Sequence, residues 1–159
     1  MGRLFFFIIG IGVAIGALMP SGHSRSSGHP HRVSTPSEPA KETRLERSES
    51  GHFYTYAKVD GELVHFVVDT GADVVALTVD DAERLGIPVN PSQFTVIGEG
   101  ASGPVRGLPV TIDSIEVDGK LVNDVDGVVL ADSSMSLLGQ SYLSRMGEVQ
   151  MRGEYMVLR

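Results

Sequence analysis

From His52 onward, polar and apolar residues alternate in short runs of strand-forming type. "HFYTYAKVDGELVHFVVD" holds two such runs joined by Asp60-Gly61, a pair suited to a two-residue hairpin turn. "SIEVDGKLVNDV" repeats the device at Asp118-Gly119. Val, Ile, Thr and Tyr are frequent, and Gly or Pro punctuates the chain every eight to twelve residues, so a small all-β domain is expected. Two stretches carry helix signals instead. Thr78-Val79-Asp80-Asp81 is a capping start for "DDAERLG", stopped by Gly86 and Pro88. "QSYLSRMG" is the second, stopped by Gly147.

Upstream the texture differs. Pro20 to Gly51 is rich in Ser, Pro, His, Arg and Glu, without apolar periodicity, and reads as a flexible linker. Leu4 to Met19 is an uncharged run of 16 residues. As a helix it would span roughly 24 Å, a little under the ~30 Å hydrocarbon layer. It fits an uncleaved signal-anchor or a signal peptide removed after Ala14-Ile15-Gly16. The anchor is favoured because the apolar run continues past that site. Arg3 would stay cytoplasmic, which puts the remainder in the periplasm or an equivalent space. The expected organisation is residues 1–19 as a single inner-membrane span, 20–51 as linker and 52–159 as the folded domain.

Composition narrows the function classes. Hydrophobic residues make up 42% of the 159, enough for one modest core. The absence of cysteine excludes disulfides, thiolate catalysis and cysteine-bound zinc. Residues 52–159 carry 7 Lys and Arg against 16 Asp and Glu. Such a surface repels phosphates, so nucleic acid is not an expected partner and peptides are. His23, His29 and His31 lie in the linker and read as solvated side chains, not a metal site. No metal or organic cofactor is expected.

The candidate chemistry lies in "HFVVDTGADVVAL", residues 65–77. Asp, Thr and Gly form turns, and most Asp-x-Gly sequences are no more than that. Here apolar runs on both sides predict a turn held inside the domain, where an ionised carboxylate is costly unless bonded or paired. A weak internal echo accompanies it. "VVDTGAD" followed by "AERLG", and "VVLADSS" followed by "SYLSRMG", share the order strand, polar turn, short helix, Gly.

Asp69-Thr70-Gly71-Ala72, within those flanks, resembles the active-site motif of retropepsin-like aspartic proteases. Further features fall in the family's order: the glycine-rich "VIGEGASGPVRG" where the flap hairpin belongs, Leu137-Leu138-Gly139, the helix "SYLSRM" and the closing strand "EYMVL". The resemblance covers about residues 52 to 158 and is nearest the bacterial, membrane-anchored, single-domain members. It implies an acid-protease half-barrel with two short helices, active as a two-fold homodimer. Two aspartates about 3 Å apart would share one proton, since both cannot be ionised cheaply. One activates water and the other hydrogen-bonds the peptide carbonyl. The chain holds one Asp-Thr-Gly. Asp113, Asp126 and Asp132 lack the pattern, so the second carboxylate must come from a second copy.

The resemblance implies further roles. Thr70 would bond across the axis, and Gly71 would admit substrate backbone. Ala72 and Asp73 would line the substrate path, and Gly100, Ala101, Ser102 and Gly103 would form the flap tip. Leu137, Leu138 and Gly139 would support the active loop. One departure stands out: Gln140 occupies the position of an arginine that pairs with Asp73 in the family, leaving Arg145 as its candidate substitute. Gly100 and Ser102 replace the Thr and Asn frequent in bacterial flaps, which predicts a looser flap. Two rivals remain. A serine hydrolase lacks a Gly-x-Ser-x-Gly elbow, and a non-catalytic binding or dimerisation module would have no use for Asp69, Thr70 and Gly71 together.

Overall fold

The two Asp-Gly pairs act as the pattern predicts. Asp60 and Asp118 both take positive φ (50° and 47°), as do Gly61 and Gly119, giving tight hairpins whose twist matches their strands. The first joins β2 (Tyr54–Val59) to β3 (Glu62–Val68), and the second joins β6 (Gly103–Val117) to β7 (Lys120–Leu130). The computed structural model describes residues 41–100 and 103–159. The predicted membrane span, most of the linker, and the flap-tip residues Ala101 and Ser102 lie outside the described residues. Among the described residues no helix is long and apolar enough to cross a membrane.

The other strands are β1 (Thr43–Glu46), β4 (Val75–Thr78), β5 (Thr95–Gly100), β8 (Ser136–Leu138), β9 (Val149–Arg152) and β10 (Tyr155–Leu158). Seven of the strands form a sheet in the order β2-β3-β8-β4-β7-β6-β5. An extra pairing of β2 with β6, Lys58 opposite Glu116 and Val59 opposite Ile115, folds the sheet into a half-barrel. Inward-facing residues alternate along its strands and pack a core around Phe66, Leu77, Ile112, Ile115, Leu138 and Tyr142, all essentially inaccessible. The Tyr142 hydroxyl meets its need in that core by donating to the Lys120 carbonyl (2.7 Å).

The internal echo is structural. β3 pairs in parallel with β8, β4 pairs in parallel with β7, and β4 meets β8 antiparallel at Ala76 and Leu137. Two strand–loop–strand–helix units therefore interlock by equivalent pairings. Their helices are α1 (Val79–Arg84) and α2 (Gln140–Leu143). Thr78 caps α1 as expected, its hydroxyl accepting from the Asp81 N–H (3.0 Å). Gly86 ends that helical segment at φ +76°.

The folded domain begins upstream of His52. β1, inside the span read as linker, pairs antiparallel with β10, which pairs with β9 in a separate three-stranded sheet. The Lys120 ammonium, buried beneath the entering chain, donates to the Lys41 carbonyl and to the Thr43 hydroxyl (2.7 Å). Thr43 in turn donates to the Asp118 carboxylate (2.5 Å). Polar anchoring explains the misplaced boundary: only Thr43 and Leu45 of the short "TRLE" turn inward, too few for an apolar pattern.

Candidate active site

Asp69 leaves the end of β3 with its backbone N–H donating to the Leu138 carbonyl (3.1 Å). Its Oδ1 accepts from the Gly71 N–H (2.9 Å), and its carbonyl accepts from the Ala72 N–H (3.3 Å). The Asx-type turn of the bland reading is present. The loop is not held inside, however. Asp69 is half-buried, Thr70 and Gly71 are exposed, and only Ala72 is buried. The inward-facing Phe66 and Val68 of β3 and all of β4 are buried, and the loop emerges where those strands end. A side chain on Gly71 would press its Cβ to 3.3 Å from the Asp69 carboxylate.

Support comes from β8 and α2. Leu138 is fully buried beside Val68, while Leu137 is half-buried and faces the opposite side of the strand. Gly139 is required: a Cβ there would lie 2.2 Å from the Val74 carbonyl oxygen and 2.8 Å from that of Ala72. That close approach lets the first turn of α2 use its spare donors on the active loop. The Gln140 N–H donates to the Ala72 carbonyl (2.8 Å) and the Ser141 N–H to that of Asp73 (3.0 Å).

Two side chains not singled out as supports complete the scaffold. The Gln140 amide donates to the Thr70 carbonyl (2.8 Å). The Ser141 hydroxyl accepts from the Val75 N–H (2.9 Å) and donates to the Asp126 carbonyl (2.6 Å), tying the loop's exit to β7. A polar pair directly after an apolar-apolar-Gly sequence was the available signal. Arg145, the candidate substitute for the family's arginine, donates to the Asp124 carbonyl (3.1 Å).

Asp132 cannot serve as a second carboxylate within one chain. β4 runs antiparallel to β8 and parallel to β7, so the turn after β7 lies at the opposite end of the strands from Asp69. The flap hairpin forms from β5 and β6, with Gly100 opposite Gly103. Gly103 takes φ +116°, a conformation that favours glycine. Beneath that hairpin lies a cavity of about 620 Å³, walled mainly by Ala72, Val74, Ala76, Ile97, Val128 and Leu137. Asp73, Thr111 and Asp126, all exposed, are its polar residues. Among the described residues no three His, Asp or Glu side chains converge as metal ligands would.

A half-barrel with interlocked parallel pairs, an Asp-Thr-Gly loop and a glycine-rich hairpin over an apolar cavity has the make-up of an aspartic-protease fold. The comparisons agree. Residues 55–145 match the family model described as "gag-polyprotein putative aspartyl protease". A crystal structure of a retropepsin-like aspartic protease from Rickettsia conorii is similar at a TM-score of 0.62 and 32% identity, covering 74% of this chain and 89% of that one. An "Uncharacterized protein in cobV 5'region" from Sinorhizobium sp is 36% identical over 129 residues, 80% of this chain and 55% of the relative. "Uncharacterized protein RP867" of Rickettsia prowazekii (strain Madrid E) is 33% identical over 114 residues, 72% of this chain and 49% of the relative. The chain thus spans about half the length of the curated relatives it matches. It belongs to the retropepsin-like aspartic protease family.

Proposed function

We propose that this chain is one protomer of a homodimeric aspartic endopeptidase whose dyad consists of Asp69 and its symmetry mate. The observation that carries the reading is the placement of Asp69: half-buried at an open edge, fixed by Gly71 and Leu138, with Asp132 at the far end of the sheet. A two-fold axis beside the exposed Thr70 and Gly71 would bring two such loops together and bury them. The pair then holds a single proton. The ionised carboxylate takes a proton from water as it attacks the peptide carbonyl, and the protonated one hydrogen-bonds the developing oxyanion. Apparent pKa values belong to the pair. Thr70 holds the two loops in register, and the flap over Gly100 and Gly103 closes on the peptide and excludes water.

The reading also tethers the enzyme, with Leu4 to Met19 as a single inner-membrane span and the protease domain in the periplasm. Tethering would favour substrates at the membrane and raise the local concentration that drives dimerisation. Recovery of a mature chain lacking residues 1–19 from the soluble periplasm would refute it.

Cleavage of a diverse peptide pool, read by mass spectrometry between about pH 4 and pH 7, tests the chemistry. The full chain in detergent should cut peptides, and Asp69→Asn should lose at least about a thousandfold of that activity. Cuts that persist in Asp69→Asn would overturn the mechanism. Silence from a sample shown by light scattering to be dimeric would favour a non-catalytic binding module.

A further inference from the structure

The cavity beneath the flap is apolar in its wall but not at its solvent side. Strand alternation puts Asp126 on the same face of β7 as Val128, and Thr111 lies directly across from Asp126 on β6. Both residues line the cavity with Val74, Ile97 and Leu137. Among the described residues no ion pair or side-chain hydrogen bond engages the Asp126 carboxylate, while its backbone carbonyl accepts from the Ser141 hydroxyl. Asp73 adds a second acidic residue to the same wall.

An apolar shaft with a carboxylate at its open side suits a side chain with a long hydrocarbon stem and a cationic head. Lys and Arg have that form, since their methylenes bury readily while the charge stays at the solvent boundary. Leu or Met would fill the shaft without meeting Asp126, and Glu would be repelled by it. We infer that Asp126 is a specificity-determining residue that selects peptides placing Lys or Arg in this cavity. The inference rests on the protease reading. Because the dimer would present the cavity twice, the preference should occur at two positions related by symmetry across the scissile bond.

The test uses the full chain in detergent with peptides differing only at one position, Lys, Arg, Leu or Glu, alongside an unbiased pool. Lys and Arg peptides should exceed Leu in kcat/KM by about fivefold at low salt, and the advantage should shrink as ionic strength rises. Asp126→Asn should bring the Lys/Leu and Arg/Leu ratios of kcat/KM, each read within the same variant, to about one. Asp126→Lys should transfer the preference to Glu. Asp69-dependent cleavage without a basic preference, or a preference that survives Asp126→Asn, overturns the inference alone. Absence of any Asp69-dependent cleavage removes the protease reading and the inference with it.

Discussion

The two interlocked units share one plan and use it differently. In the first, β3, the Asp69 loop, β4 and α1 follow in order. In the second, β7, the Asp132 turn, β8 and α2 do the same. α1 is capped by its own Thr78, and Asp81 accepts from Arg84 of the same helix and from Ser136 of β8 (2.5 Å each). α2 has no side-chain cap, and its first N–H groups serve the carbonyls of the other unit's loop. The Asp132 turn closes on itself, with Ser133 Oγ donating to the Met135 carbonyl (2.7 Å). One unit presents a carboxylate, and the other supplies the floor beneath it. The lesson is that duplicated topology need not duplicate chemistry: the second loop is free to be ordinary because the first is braced by the second helix.

Gly139 is where this division should break hardest. Gly139→Ala drives a methyl group into two backbone carbonyls that cannot yield without moving the active loop. Destabilisation of about 3 kcal/mol or more is expected, read as a lowered urea midpoint. Peptide cleavage should fall at least as sharply. Ser141→Ala comes next, since it strips a partner from both the Val75 N–H and the Asp126 carbonyl. A loss of about 2 kcal/mol is expected, while Ser133→Ala in the opposite turn should cost under about 0.5 kcal/mol. Equal effects at the two serines would mean that the asymmetry is not energetic.

Much of this arrangement was legible in the sequence because it rests on local rules. The hairpins follow from Asp-Gly, α1 from its Thr78 cap and Gly86 stop, and the family from an ordered set of motifs. The parts that were missed depend on long-range polar contacts. β1 is held by Lys120 and β10, which no periodicity in "KETRLE" announces. The exposure of Asp69 follows from where its strands end, and apolar flanks do not report that. Gln140 and Ser141 read as the start of a helix, and their bonds to residues some seventy positions away emerge only when β3 and β8 pair.

Asp81 tests what holds α1 through pH. Burial opposes its ionisation, but hydrogen bonds from Ser136 and Arg84 outweigh that, so its carboxyl is held below the usual carboxylate range. With the folded pKa depressed, the stabilisation is present above the unfolded value and is lost as pH falls through the folded one. Asp81→Asn should therefore cost about 1–2 kcal/mol at pH 7, and the gap should narrow as pH falls through and below the ordinary carboxylate range. Activity per folded molecule should not change, since Asp81 lies in α1 on the far side of β4 from the Asp69 loop. A pH-independent penalty would show that the charge is not what holds α1.

Gln140 gives the smallest change in stability and the sharpest test of the other unit. Its amide meets the Thr70 carbonyl at the exposed edge where a second copy would dock. An exposed neutral hydrogen bond contributes only about 0.5–1 kcal/mol, so Gln140→Ala should barely move the urea midpoint. If Asp69 pairs with its symmetry mate as proposed, it should nevertheless lower kcat several-fold, because Thr70 directly follows Asp69 and a displaced Thr70 peptide would misalign the paired carboxylates. KM should change less than kcat, since Gln140 does not line the cavity beneath the flap. Gln140→Glu sharpens the distinction. It keeps the size of the side chain but turns the donor into an acceptor facing a carbonyl, so kcat should fall further than with alanine at neutral pH. Recovery of part of that loss at acid pH, where protonated Glu can donate again, would separate positioning of Thr70 from mere packing of α2.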